Sequence, residues 1–240
     1  MMGAKLLGLA AFILACVFWV TFYGVAGTPA PAQETESAAF ARFRYSFFVD
    51  PDSARDGLDT TTLAQLDGKD RTKAEVMLMQ YLPDARAVIG LGLLGSQRAE
   101  RRLMRLFEAT RDEEGLGPIF LAKALWQIRP DPRWLAALID VLASADHYIV
   151  RMNAAEALYD VRDPAAVHAL ITALDDPEGL VRHHAARGLL AIHGLADEAV
   201  VMKHGPEHMM FRVMSNDPAR REGGKRDILA IIVGRPISAL

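Results

Sequence analysis

Apolar and polar positions follow two rhythms along this chain. On the short scale, apolar residues fall at i, i+1 and i+4 in Leu103-Met104-Arg105-Leu106-Phe107, Leu138-Ile139-Asp140-Val141-Leu142 and Leu170-Ile171-Thr172-Ala173-Leu174. Each forms one stripe of a helix. On the long scale a whole segment comes back. Val150-Arg151-Met152-Asn153-Ala154-Ala155-Glu156-Ala157-Leu158 returns as Val181-Arg182-His183-His184-Ala185-Ala186-Arg187-Gly188-Leu189. Weaker copies end at Leu125-Trp126-Gln127-Ile128 and Leu91-Gly92-Leu93-Leu94, so the anchoring leucines stand at 91, 125, 158 and 189. Steps of 34, 33 and 31 residues mark stacked helical hairpins.

Turn residues punctuate that pattern. Gly95-Ser96, Pro130-Asp131-Pro132, Asp163-Pro164 and Gly194 close the second helix of each unit, while Asp146 and Asp176-Pro177 mark turns inside hairpins. Ala154, Ala155, Ala157, Ala185, Ala186 and Gly188 are small enough to let neighbouring helices approach closely. After Gly194 the rhythm fades. Met202, Met209, Met210, Phe211 and Met214 are expected to cap the last unit, the alternative being an adaptable binding patch. Ile228 to Val233 is too short to span a membrane and should close the core as a final helix or strand.

These residues resemble HEAT repeats, in particular the short form also found in phycobilin lyases. Asp176-Pro177, Val181-Arg182, Ala185-Ala186 and Leu189 carry the resemblance, and Val150-Arg151, Ala154-Ala155, Ala157-Leu158 and Asp163-Pro164 repeat it. The units near Leu91 and Leu125 lack the Val-Arg pair. The resemblance implies an all-α fold, a right-handed α-solenoid (α-α superhelix) of about four to five hairpins over residues 60–200, with 201–240 as a C-terminal cap. For function it implies a non-enzymatic scaffold that binds a protein partner. The alternative is an accessory protein of the phycobilin-lyase type, holding a substrate protein for cofactor loading or modification. HEAT-type hydroxylases use repeated His-Glu pairs, and no His-Glu dipeptide occurs here.

The N-terminus has a different character. Leu6 to Val25 is an uncharged run of 20 residues, enough for a helix spanning about 30 Å of hydrocarbon. Lys5 precedes it and Glu34 and Glu36 follow, an orientation that leaves the N-terminus in the cytoplasm. Residues 1–27 are therefore expected to be a transmembrane anchor in the cell inner membrane, with the repeats periplasmic. The competing reading is a secretory signal cleaved after Ala30-Pro31-Ala32, which would release the protein to the periplasm. Residues 28–59 read as a Pro/Ala linker followed by the aromatic stretch Phe40 to Phe48. That stretch is expected to cap the first hairpin, and its arginines Arg42 and Arg44 leave open a membrane-surface position.

Composition narrows the rest. Residues 51–200 carry 17 basic and 23 acidic side chains, the opposite of a nucleic-acid-binding face, so no nucleic-acid partner is expected. The one cysteine, Cys16, excludes an internal disulfide and a cysteine zinc site. His204-Gly205-Pro206-Glu207-His208 spells an inverted zinc-protease motif, but Gly205-Pro206 disfavours the helix that chemistry needs. No catalytic residue, metal site, cofactor or small-molecule ligand is therefore expected. Arg151 and Arg182 recur at one position and read as an internal polar ladder. Arg86, Asn153 and His184 lie five residues before the anchoring leucines; Lys123, Glu156 and Arg187 lie two before. Three apart on a helix, the two sets share a face, and they form the expected partner-binding row on the concave side.

Overall fold

The computed structural model describes residues 36–50, 59–199, 205 and 207–237. The chain divides into two compact units, Met1–Ala38 and Ala39–Leu240. Of the first unit, 36–38 are described: two irregular residues leading into the first helix. The apolar run Leu6–Val25 lies outside the described residues, and among those described no helix is long and apolar enough to cross a membrane.

The described part of the second unit is helical, without strands. Helix α1, Ala38–Arg44, continues into a wider turn at Tyr45–Val49, and α2 is a single turn, Thr61–Ala64. Five antiparallel hairpins follow: α3 (Gly68–Gln80) with α4 (Ala85–Leu93), α5 (Glu100–Thr110) with α6 (Gly117–Ile128), α7 (Pro132–Ser144) with α8 (Tyr148–Ala157), α9 (Pro164–Ala173) with α10 (Gly179–Ile192), and α11 (Met209–Met214) with α12 (Pro218–Ile232). Second helices pack in succession, α4 on α6, α6 on α8, α8 on α10 and α10 on α12, and the first helices α7 and α9 also meet. This is the translation of an α-solenoid.

Local chemistry sets the helix ends. Asp131, Asp163 and Asp217 each sit just before a proline that opens a helix. Their carboxylates accept from the backbone N–H of Arg133, Ala165 and Arg220 at 2.8–2.9 Å. At the other end, α4 and α10 stop on glycines with φ of 58° and 75°, Gly95 and Gly194. The N–H groups of Ser96 and Leu195 then reach back to the carbonyls of Leu91 and Leu190, as a left-handed cap residue allows.

The anchoring leucines 91, 125, 158 and 189 are all buried, together with Leu103, Leu138 and Leu170 from the facing helices. A lone hairpin leaves one apolar face wet, so this continuous core is what stabilises the stack. Both ends are covered. Phe43 and Phe47 are buried in the core. Phe47 lies so close to Gly90 that a Cβ there would sit 2.9 Å from its ring, and Phe48 stacks on Tyr81 at 4.4 Å. The aromatic stretch thus packs on the α3–α4 hairpin, while Tyr45 and Val49 remain exposed. At the C-terminal end Met209, Met210, Val213, Ile228 and Ile232 are buried. The segment Ile228–Val233, open between helix and strand in the sequence, falls in α12 and the residue that ends it. The C-terminal cover is itself a hairpin.

Candidate functional site

Arg151 and Arg182 are structural. The Arg151 guanidinium forks onto the Asp176 carboxylate (2.7 and 3.1 Å) and donates to the carbonyls of Ala145 and Asp146, each at 2.8 Å. The pairing with Asp176 holds its pKa above the ordinary arginine value. Arg182, fully buried, has no carboxylate partner. It donates instead to five carbonyls, those of Asp176, Pro177, Val213, Met214 and Ser215, at 2.6–3.0 Å. Burial pushes its pKa down. Together the two arginines bind the turn inside α7–α8 to that inside α9–α10, and the latter to the turn inside α11–α12.

Five of the six residues of the expected partner row converge on one groove. A recess of about 370 Å³ opens between α4, α6 and α8. Its floor is apolar (Ile89, Leu93, Ile119, Phe120, Ala124, Ala157) and its rim carries Lys123, Gln127, Asn153 and Glu156. A second recess, about 220 Å³, continues it toward α10 and is lined by Lys123, Glu156, Tyr159, His184 and Arg187. Lys123 and Glu156 belong to both, so the groove crosses four successive second helices.

Arg86 is not in it. Two residues into α4, its guanidinium forks onto the capping Asp84 at 3.1 Å, and that pair lowers the Asp84 pKa and raises its own. The leucine-based register places Arg86 beside Asn153 and His184 in sequence terms, but a carboxylate two residues away captures it. Asn153 spends its amide N–H on the Ile149 carbonyl of its own helix at 2.8 Å.

The electrostatics of the α10 end follow from burial. The His184 side chain is 18% exposed, with its Nδ1 3.8 Å from Glu156 Oε2. Desolvation lowers its pKa; Glu156 opposes that and Arg187 adds to it. The neighbouring His183 is pushed down to about 4, first by burial and then by His184 and Arg187. Its Nδ1 is buried without a hydrogen-bond partner. Both imidazoles are therefore neutral at pH 7; among the described residues lining the second recess, Lys123, Arg187 and Glu156 are charged. Arg187 is held 5.7 Å over the Tyr159 ring, a cation–π contact that limits its wandering.

The apolar floor and Tyr159 were not picked out from the sequence. Ile89 and Leu93 flank the anchoring Leu91 by two residues on either side. An apolar residue so displaced from the core stripe, on a helix that is otherwise buried, was the available signal. Larger recesses, about 560 and 590 Å³, lie on first helices, around Trp134 and between α7 and α9. The groove on the second helices is the one that draws on four hairpins.

The inverted zinc-protease motif is not assembled on a helix. His204 is outside the described residues, Glu207 pairs with Arg220 at 3.0 Å, and His208 caps α11 by accepting from the Met210 N–H. Among the described residues no cluster of three or more His, Cys, Asp or Glu side chains could hold a metal ion.

Residues 103–190, from α5 through most of α10, match the family model for HEAT repeats. No curated protein matches the chain. The match covers the two units with the Val-Arg pair and the degenerate unit at Leu125, so this stretch is a run of HEAT repeats. Such repeats form a protein-interaction scaffold and are generally not enzymes.

Proposed function

We propose that the protein is a membrane-tethered scaffold that docks a protein partner along the groove of its second helices, outside the cytoplasm. The observation that carries this reading is the groove itself: an apolar floor and a polar rim continuous across α4, α6, α8 and α10. Protein-binding surfaces combine those two features, an apolar centre for affinity and a polar margin for register. The tether rests on the uncharged run Leu6–Val25 behind Lys5, and the periplasmic side on the charge order around it. Leu93 is 44% exposed at the floor of the groove, an apolar side chain that a partner would cover.

A photo-crosslinking residue at position 93 of the full chain, in intact membranes, tests the docking surface. One dominant protein adduct is expected there, and none from the exposed Ala136 on the outer helix α7. Adducts from 136 but not from 93 would place the partner elsewhere. Alkaline extraction of the same membranes tests the tether. Retention with the full-length mass supports an anchor, and a shortened soluble product would mean a cleaved signal.

A further inference from the structure

The hairpin that covers the C-terminal end of the stack carries the ladder position without a ladder contact. In α8 and α10 the ladder arginine is the fourth residue after the one that caps the helix, Arg151 after His147 and Arg182 after Glu178. A fully buried leucine, Leu158 or Leu189, follows seven residues on. Helix α12 repeats this spacing with Arg221 after Asp217 and the fully buried Ile228. In all three helices the arginine N–H donates to the carbonyl of the capping residue, at 3.0–3.3 Å.

The side chains then diverge. Arg151 and Arg182 are each engaged by the end of a helix in the following hairpin. Arg151 takes the Asp176 carboxylate, two residues past the Leu174 that ends α9. Arg182 takes the carbonyls of Val213, Met214 and Ser215, where α11 ends. Arg221 is partly exposed, and among the described residues its guanidinium forms no hydrogen bond or ion pair. It is not remote from the ladder. After burial, the Arg221 charge is what lowers the Arg182 pKa, against Asp176 and Glu178, so the two cations are neighbours.

We infer that the C-terminal end of the stack receives the C-terminal end of an α-helix from another protein, held by Arg221. This surface is separate from the groove and goes beyond it. The last four carbonyls of a helix have no partner within it and carry the negative end of its dipole. A guanidinium offers five donors in one plane and fits such a cluster, or a carboxylate just beyond it. The filled positions show both forms. Arg151, with its side chain 12% exposed, takes the carboxylate, and the fully buried Arg182 takes the carbonyls. Arg221 is partly exposed like Arg151, so its helix carries Asp or Glu shortly after its end, as Asp176 follows α9. That anion would also offset the repulsion between Arg221 and Arg182.

A second copy of this chain does not fit the role. Presenting the same end, it brings another Arg221, and its α11 is held by its own Arg182. In the first hairpin, the Met79 carbonyl near the end of α3 accepts from Arg102 at 2.9 Å, and Asp84 beyond it pairs with Arg86. The occupant is a helix of a different chain.

Two measurements on the full chain test this. The first needs no partner. In lipid nanodiscs Arg221→Met should melt within about 2 °C of wild type or above it, whereas Arg182→Met melts well below. A loss matching that of Arg182→Met would mean that Arg221 is already engaged within the chain, and would overturn the inference. The second places a photo-crosslinking residue at the exposed Ala219, in intact membranes, and maps the adducts by tandem mass spectrometry. They should fall on one protein, in the last turn of a helix or just past it, beside Asp or Glu. Arg221→Glu should cut their yield at least about tenfold, and replacing the mapped acid by Arg should restore it in that variant. Adducts from position 93 should not change. Absence of adducts from 219, a yield indifferent to Arg221→Glu, or adducts on lipid, on a helix start or on a second copy each overturn the inference. If 219 fails while 93 still crosslinks one protein, the end surface falls and the groove stands. The reverse result removes the groove and leaves the end surface.

Discussion

Consider the seam between α8 and α10 beside the seam between α4 and α6. Both join second helices of successive hairpins through buried small residues. In the first, Ala154, Ala155, Ala185 and Ala186 are buried, and Arg151 locks the turns at its edge by pairing with Asp176 of the next hairpin. In the second, the position seven before the anchoring leucine holds Asp84 or Pro118, and no arginine stands there. That seam is closed by close approach. A Cβ on Gly92 would lie 2.5 Å from Gln127 Oε1 and 2.7 Å from the Ala124 Cα. Two chemistries thus achieve one translation, hydrogen bonding at the turn edge or close approach along the helix axis. The groove inherits the difference. Its apolar recess lies by the glycine seam, and its charged recess runs on to α10 along the α8–α10 seam.

The ladder should be the more costly to break. Arg182→Met removes all five donors from carbonyls gathered at two turns, where the guanidinium is fully buried and most of the carbonyls partly so. Leaving buried acceptors unsatisfied costs on the order of 3–5 kcal/mol here, since water can rescue only some of them. Urea denaturation should show that loss, with hydrogen exchange weakest in α11 and α12. A loss below about 1 kcal/mol would mean the last hairpin is held by its apolar contacts and not by the ladder.

Gly92→Ala probes the other seam. Gln127 can turn aside, but the added methyl also meets the Ala124 Cα and Cβ, which cannot swing away, so about 1–3 kcal/mol is expected. Gly188→Ala in the ladder region is the control. There the nearest atom is the tip of Leu170 at 3.1 Å, a flexible side-chain end, and the gain in helix propensity offsets the crowding. Thermal melts of the two variants should differ clearly. Equal melting temperatures would show that the seams are packed alike.

The same contrast explains what the sequence could and could not show. The arginine ladder leaves a repeated dipeptide, Val-Arg, next to an Asp-Pro turn, so hairpins α7–α8 and α9–α10 are legible by eye. A seam made by close approach leaves only a glycine, and α3–α4 could be placed only through its leucine and the spacing. The fifth hairpin carried a readable signal in Asp217-Pro218, the same opening used by α7 and α9. The methionines around it drew attention to capping instead. In the groove, the polar row was found because helical spacing fixes which residues share a face. Arg86 dropped out because a partner two residues away decides side-chain direction, which spacing does not encode. The apolar floor was invisible because an exposed leucine and a core leucine are the same letter.

Acid should separate the regions more gently. Every histidine of the chain lies after residue 146, so hairpins α3–α6 have none. Folded His183 takes up its proton only near pH 4, whereas in the unfolded chain it does so near 6.5. Between those values the unfolded state binds more protons, so stability falls as pH drops through that window and is flat above it. His184 shifts in the same direction. The melting temperature should fall from pH 7 to 5, with amides of α8 and α10 losing exchange protection before those of α4 and α6. His183→Leu should remove part of that slope. An unchanged slope in the variant would mean that His183 is solvated.

The smallest expected effect compares one repeat position across the two regions. Asp84 occupies, in α4, the place that Arg182 holds in α10, seven residues before the anchoring leucine. Its carboxylate caps α4 by accepting from the Arg86 N–H at 2.8 Å, and also pairs with the Arg86 guanidinium. The pair is half exposed, 43% and 37%, so it adds little beyond the cap. Asp84→Ala should cost about 1 kcal/mol, the ordinary worth of an N-cap, and Asp163→Ala, which caps α9 through Ala165 without an arginine partner, about the same. Arg86→Ala should then be nearly neutral. Chemical denaturation of the three variants can decide it: a cost for Arg86→Ala matching that for Asp84→Ala would show the ion pair, and not the cap, to be the element that replaces the ladder at this end.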